Sequence, residues 1–262
     1  MHLALLVPVY NEERALEHSV RRALRSPLPP GVTRRTLVLI DDGSADSTPR
    51  ILATLKAEPD SGPHLHPIRH QANRGKGAAV RTALAAAIEI GADLLLVHDA
   101  DLEYDPADHP RVLAPLIDGR ADAVIGSRFL GDTHRVLYFW HSVANKVITT
   151  LSNVFTNLNL TDIECCSKAF TRQVALQLTL EEDRFGIEPE LVAKLARVRL
   201  AAPLTPGAPA TPGSQPPSAA RLPRIYEVAV SYAGRTYAEG KKITWKDGLA
   251  ALGCILKYNL MQ

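Results

Sequence analysis

The 262-residue sequence predicts a three-layer α/β sandwich built on a mostly parallel sheet. Three observations carry that expectation. Short, continuously apolar runs fit strands covered on both faces, helical patterns alternate with those runs, and acidic or glycine-rich turns follow them directly. With 46% hydrophobic residues the chain holds enough apolar mass for a sizeable core, which excludes disorder throughout.

The first apolar run is His2 to Val9, which passes straight into Asn11, Glu12, Glu13 and Arg14. No basic leader precedes it, so it reads as a buried strand and not as a signal peptide. Asn11 is placed to cap a helix from Glu12 to about Arg25, ended by Pro27. Thr36 to Ile40 forms the next strand, and Asp46 and Ser47 start a second helix with Pro49 in its first turn. His64, His66 and His70 have ligand-like spacing, but with no cysteine nearby they read as an exposed turn. From Gly77 to Ile90, Val80, Leu84 and Ile88 recur every four residues, and Gly91 stops the helix. Leu94 to Val97 and Ala123 to Ile125 are further strands. Arg135 to Asn157 reads as a helix with Tyr138, Phe139 and Trp140 near its start and a stripe of Val143, Val147, Leu151 and Val154 for burial against the sheet. A further helix covers Leu191 to Val198.

Residues 1–200 thus form the main unit. From 201 to 223 the composition turns to Ala, Pro, Gly, Ser and Thr with seven prolines, which lacks the bulk to offset its ordering entropy and reads as a flexible insertion. Residues 224–262 are too few for a core of their own, so a strand at Ile225 to Val230, a basic loop and an amphipathic run from Trp245 to Tyr258 are expected to complete the same domain.

Thirty basic residues against 28 acidic ones leave a net charge of +2, too balanced for non-specific attraction to nucleic acid. The three cysteines include the neighbours Cys165 and Cys166, so neither a disulfide framework nor a CxxC zinc pair is present, and a reducing, cytoplasmic compartment is expected. Polar residues such as Lys146, Asn153 and Lys257 interrupt the longest apolar stretches, none of which reaches the roughly 20 residues needed to span a bilayer. Any membrane contact is expected to be peripheral.

The chemistry gathers in turns after strands, where open α/β sheets place their ligands. Asp99-Ala100-Asp101 offers two carboxylates one residue apart, able to share a hard divalent cation that also grips a diphosphate; the same residues can serve as turn formers. Asp41-Asp42-Gly43-Ser44 can accept hydrogen bonds from a base N–H or from ribose hydroxyls, although Asp46 beside it is also a natural helix cap. Asn73-Arg74-Gly75-Lys76-Gly77 combines close backbone approach with a helix N-terminus and two cations, which favours an anion. It is not a Walker A loop, because His70 and Gly77 stand where Gly and Ser or Thr are required. GxGxxG, GxSxG and HExxH are absent.

Taken with Pro8-Val9-Tyr10-Asn11-Glu12 and Gly126-Ser127-Arg128, these motifs resemble family 2 glycosyltransferases of the GT-A fold, and their order and spacing are similar to the dolichyl-phosphate mannose and glucose synthase branch. Asp162 to Phe170 resembles that branch's acceptor-side segment, Arg184 to Glu190 its next block, and Arg235 with Gly240-Lys241-Lys242 its late basic loop. Cys166 and Ser167 stand where the branch commonly has Gly-Phe, and Glu103 where it has Gln.

The resemblance implies an inverting transfer of a hexose from a GDP- or UDP-sugar to a polyprenyl phosphate on the cytosolic membrane face. Pro8, Tyr10, Glu12, Asp41, Asp42, Asn73, Lys76, Asp99, Arg235, Lys241 and Lys242 would hold the donor. Asp99, Asp101 and Glu103 would hold Mg²⁺ or Mn²⁺. Arg128 with Ser127 would take the acceptor phosphate, whose oxygen is largely ionised and has little need of a general base. Tyr138, Phe139 and Trp140, close to His134 and Arg135, suit a membrane headgroup zone. A hydroxyl acceptor is the alternative, with Asp162 or Glu188 as base; a non-catalytic nucleotide-sugar module or a sugar nucleotidyltransferase fits the motifs less well.

Overall fold

The computed structural model describes residues 1–131, 136, 138–201, 220–235 and 245–260. In chain order the elements are β1 (His2–Val9), α1 (Leu16–Arg25), β2 (Arg34–Asp41), α2 (Thr48–Ala57), β3 (Leu65–Arg69), α3 (Lys76–Glu89), β4 (Leu94–Val97), α4 (His109–Ile117), β5 (Ala123–Ser127), α5 (Phe139–Thr156), β6 (Lys168–Thr171), α6 (Arg172–Ala175), α7 (Ile187–Leu195), β7 (Ile225–Ala229) and α8 (Trp245–Leu260). The strands form one sheet of order β3-β2-β1-β4-β6-β5-β7. Only β6 runs antiparallel to its neighbours, β4 and β5.

Strand alternation shows the three layers directly. His98, just past β4, reaches His109 of α4, whereas the next residue, Asp99, reaches Lys76 of α3, so α4 and α3 cover opposite faces. Arg22 and Ser26 of the α1 end bind Asp105 and Pro106 ahead of α4, placing α1 on the α4 side. Being covered on both faces, β1 and β4 bury nearly every side chain, the reason their sequences are continuously apolar.

Local differences from the expected elements have identifiable causes. Helix α1 begins at Leu16 and not at Glu12, because Asn11 adopts a left-handed φ of 50° and its Oδ1 accepts from Ala45 N–H instead of capping a helix. The histidine segment contains strand β3, and His70 is buried between Asp42 and Thr82 rather than lying in an exposed turn. The apolar stripe on α5 is only partly buried: Leu151 packs against the core and Val143 is half-buried, but Val147 and Val154 face outward. Asn145, Ile148, Thr149 and Ser152 are buried, while Trp140, Val147 and Val154 are exposed by 75%, 56% and 71%.

β7 pairs in parallel with β5, which brings the carboxy-terminal segment into the common sheet. Most of the proline-rich stretch, 202–219, lies outside the described residues. Its two ends meet: Leu200 and Arg221 exchange both backbone hydrogen bonds at 2.9 Å, and Arg221 and Arg224 converge on Asp122. Because that pairing closes the base independently of what lies between, replacing 202–219 by a two-residue turn is expected to leave the melting temperature unchanged or raise it. Shortening the loop recovers about 1 kcal/mol of closure entropy. A fall of more than about 5 °C in calorimetry would show that the stretch packs on the domain.

Candidate active site

Every parallel strand points its carboxyl end at the same edge, and there the turns interlock. Asn11 N–H donates to Ser44 Oγ, Glu12 N–H to Thr48 Oγ1 and Glu13 N–H to Asp46, so the loops after β1 and β2 hold one another. Asp41 turns inward: its Oδ1 accepts from Ser44 N–H at 2.9 Å, it pairs with Arg69, and it does not line the cleft. Asp42 does line the cleft, but its carboxylate is surrounded by donors, accepting from Arg74 N–H, Gly75 N–H at 2.7 Å and His70 Nδ1 at 2.7 Å. It thereby anchors the 73–77 loop. Gly75 has φ 103°, and a Cβ there or on Gly77 would strike the carbonyls of Asp183 and Glu182, so only glycine lets the loop slide beneath the segment leading to α7.

These turns enclose a cleft of about 460 Å³ bordered by Pro8, Tyr10, Glu12 and Asn73 on one side and by Arg128, Glu164 and Tyr232 on the other. Lys76 crosses its base. The Nζ lies 2.9 Å from Asp99 and 2.9 Å from Glu188, and Glu188 in turn pairs with the fully buried Lys168. Burial opposes charge on both members of the first pair. For Lys76 the carboxylates of Asp99 and Glu188 and the Cys166 thiol prevail and push the ammonium well up, and for Asp99 the Lys76 charge holds the carboxyl below its usual range.

Above this row lies a second, more acidic one. Arg235 reaches Glu12 at 3.2 Å, Asp101 at 3.1 Å and Glu103 at 3.4 Å, so its guanidinium is shared by three carboxylates. Burial and the like charges of Asp99 and Glu103 push Asp101 up to about 7 despite Arg235. Leu102 between them sits at φ 65°, a strained conformation for a branched side chain that costs about 1–2 kcal/mol and turns Glu103 toward Arg235. Both Glu103 oxygens are engaged, one by Tyr232 O–H at 2.9 Å and the other by Arg235 N–H at 2.9 Å. Glu103, expected as a third metal oxygen, therefore anchors the 232–235 segment instead.

Among the described residues no group of three or more His, Cys, Asp or Glu side chains is arranged around a metal position. The chemistry of the donors nonetheless fits a hard divalent cation. Asp99 and Asp101 present carboxylate oxygens to the cleft, and the crowding that lifts Asp101 is what such a cation would relieve.

On the opposite wall Asp162, fully buried, grips Arg128 with both oxygens, at 2.7 Å to Nε and 2.8 Å to Nη2. Asp162 also accepts from Arg128 N–H, so it positions the arginine and is not exposed to an acceptor as a base. Ser127 is fully buried as well: its Oγ shares a 2.6 Å hydrogen bond with Thr161 and accepts from Phe129 N–H, and it does not border the cleft. Arg128 does border it. Lys241, Lys242, His134 and Arg135 lie outside the described residues.

Glu164 and Tyr232 line the cleft without having been singled out in the sequence, and Phe185, from the block recognised at Arg184 to Glu190, lines it too. Glu164 carried a usable signal, since it stands two residues from Asp162 in the acceptor-side segment. Tyr232 carried none, because its partner Glu103 lies 129 positions away.

The glycosyl transferase family 2 model matches residues 4–179. Glycosyltransferase AglJ of Haloferax volcanii is 31% identical over 195 residues, which cover 74% of this chain and 58% of the relative. The undecaprenyl-phosphate 4-deoxy-4-formamido-L-arabinose transferase of Shewanella sediminis is 30% identical over 195 residues, covering 74% and 56%. A UDP-N-acetylglucosamine–dolichyl-phosphate N-acetylglucosaminyltransferase of Methanococcus voltae is 27% identical over 190 residues, covering 69% and 73%. The chain thus matches between about half and three quarters of the length of these relatives. In fold it is similar to the crystal structure of Mycobacterium tuberculosis glucosyl-3-phosphoglycerate synthase with Mn²⁺, UDP and phosphoglyceric acid, with a TM-score of 0.66 at 19% identity over 98% of this chain and 78% of that one. The sheet order, the interlocked turns and the family match agree: the chain belongs to glycosyl transferase family 2, on the GT-A sandwich.

Proposed function

We propose that the protein transfers a glycosyl group, with inversion, from a nucleoside diphosphate sugar to a polyprenyl phosphate at the cytosolic face of a membrane. The observation that carries this reading is how the two carboxylates considered as bases are held. Asp162 is locked on Arg128, and Glu188 lies between Lys76 and Lys168, while the Arg128 cation borders the cleft. Neither of these two carboxylates is free to serve a hydroxyl acceptor as base, whereas an ionised phosphate needs only a cation to orient it. The names of two relatives, carrying dolichyl phosphate and undecaprenyl phosphate, support the same acceptor class. Their sugars, N-acetylglucosamine and a formamido-arabinose, widen the hexose implied by the sequence motifs to a broader set of glycosyl groups.

The chain's own residues divide the work. Pro8, Tyr10, Glu12 and Asn73 border the end of the cleft that would receive the nucleoside, with Asp42 fixing the 73–77 loop beneath it. Asp101, with Asp99 beside it, would hold a divalent cation such as Mg²⁺ or Mn²⁺, whose charge offsets that of the departing diphosphate. Such a cation would compete with Arg235 for Asp101, which would leave that guanidinium, with Lys241 and Lys242 the expected further cations, to offset charge on the diphosphate. Arg128 orients the acceptor phosphate for attack from the face opposite the leaving group.

No helix among the described residues is long and apolar enough to cross a membrane. The outward stripe of α5 instead offers a surface contact: Tyr138, Phe139 and Trp140 are exposed by 72%, 69% and 75% at the end of the helix that follows Arg128.

Label transfer from UDP- and GDP-sugars to polyprenyl phosphate in liposomes, with and without chelator, tests the reaction; a metal-dependent glycosyl lipid is expected. Donor binding without lipid product would redirect the search to hydroxyl acceptors. The triple variant Phe139→Ser, Trp140→Ser, Val147→Ser is expected to weaken co-sedimentation with liposomes at least ~10-fold at unchanged melting temperature, because these apolar groups are already exposed in the fold. Equal sedimentation would remove α5 as the contact.

A further inference from the structure

Glu164 lies on the cleft wall between α5 and β6, and its Oε1 is buried with no hydrogen-bond partner among the described residues. Leaving a buried carboxyl oxygen unpaired is costly, and where that oxygen borders a cleft the missing partner is naturally supplied by a ligand. The charged groups that face it come from four places: Glu188 on α7, Lys168 on β6, Arg128 after β5, and Asp162 on its own segment. Both cations are already engaged, Arg128 by Asp162 and Lys168 by Glu188, so neither neutralises Glu164. Burial first, then the like charge of Glu188, pushes its carboxyl up to about 7.

We propose that Glu164 works as a neutral carboxylic acid, donating a hydrogen bond to a phosphoryl oxygen of the acceptor on the part of the cleft it shares with Arg128, and so selects a phosphate-terminated acceptor. This rests on the acceptor reading above. An ionised phosphate has only acceptor atoms, so the wall must offer donors; the acid form supplies an O–H, whereas the carboxylate would repel the ligand. The phosphate's own charge favours the acid, so binding and protonation reinforce each other. The proton stays on Glu164 and no bond to it forms or breaks.

The sign of the pH dependence follows. The acid form predominates below about pH 7 and is lost above it, so acceptor KM rises as pH increases. Wild type and Glu164→Gln are compared with the same polyprenyl phosphate between about pH 6 and 8.5; the ratio of their KM values cancels ionisation of the acceptor. Gln keeps the shape and always donates, so the ratio of wild-type to variant KM is expected to climb ~10-fold or more across that range, with kcat within ~3-fold and donor affinity unchanged. A flat ratio with lipid product formed by both proteins overturns the Glu164 assignment alone. Absence of lipid product from wild type overturns the acceptor reading and this role with it. A kcat loss of ~100-fold or more in Glu164→Gln would make the residue a general base and overturn its role as a donor.

Discussion

Asp101→Asn is expected to lower kcat/KM for glycosyl transfer by ~10³-fold while leaving the melting temperature unchanged or higher. The two effects have one cause. Asp101 is buried beside Asp99 and Glu103, and among the described residues the guanidinium of Arg235 is shared by Asp101, Glu103 and Glu12. That excess of negative charge is unfavourable for the empty fold, and the isosteric amide removes it, a gain on the order of 1–2 kcal/mol. In the reaction the same charge is what would hold a divalent cation against the departing diphosphate, and an amide cannot replace it. Steady-state rates at saturating donor, paired with calorimetry in chelator, separate the two. A variant that loses stability together with activity would show that Asp101 is a structural residue of the turn, and a variant retaining most of its activity would remove it from the site.

The fold was legible where burial on two faces leaves a continuous apolar record. Leu3 to Val7 and Leu94 to Val97 could be read as strands because each is covered by helices on both sides. The site was legible through turns after strands, since the sheet's polarity forces the Asp42, Asp99, Arg128 and Arg235 turns to one edge. Pairing between distant charges was hidden. Nothing local to Asp162 shows that Arg128, 34 positions away, will take both its oxygens, nor that Glu188 will lie between Lys76 and Lys168. Half of the α5 stripe misled for a related reason: apolar spacing gives the period of a helix but not which side is buried, and here Asn145, Thr149 and Ser152 face inward beside Ile148 and Leu151 while Val147 and Val154 face out. Asn11 misled because its side chain, a good cap in isolation, found Ala45 of the neighbouring loop instead.

Lys76→Met is the substitution expected to damage the fold most, by ~3–5 kcal/mol. Its side chain is 15% exposed and lies between carboxylates that are 18% and 7% exposed, Asp99 and Glu188. Glu188 keeps Lys168 after the change, but Asp99 loses the Lys76 ammonium, the largest influence holding it ionised, so most of the cost falls on Asp99. The double variant Lys76→Met, Asp99→Asn should therefore be more stable than the single one, recovering ~1–2 kcal/mol, because a neutral amide near Cys166 no longer demands a counter-charge. Urea unfolding of wild type, both single variants and the double completes the cycle, read as midpoint shifts at constant slope. A loss below about 1 kcal/mol in Lys76→Met would mean that water replaces the ammonium at little cost. A double variant no better than the single would place the strain on Glu188, and the lysine would then serve α7 more than the Asp99 turn.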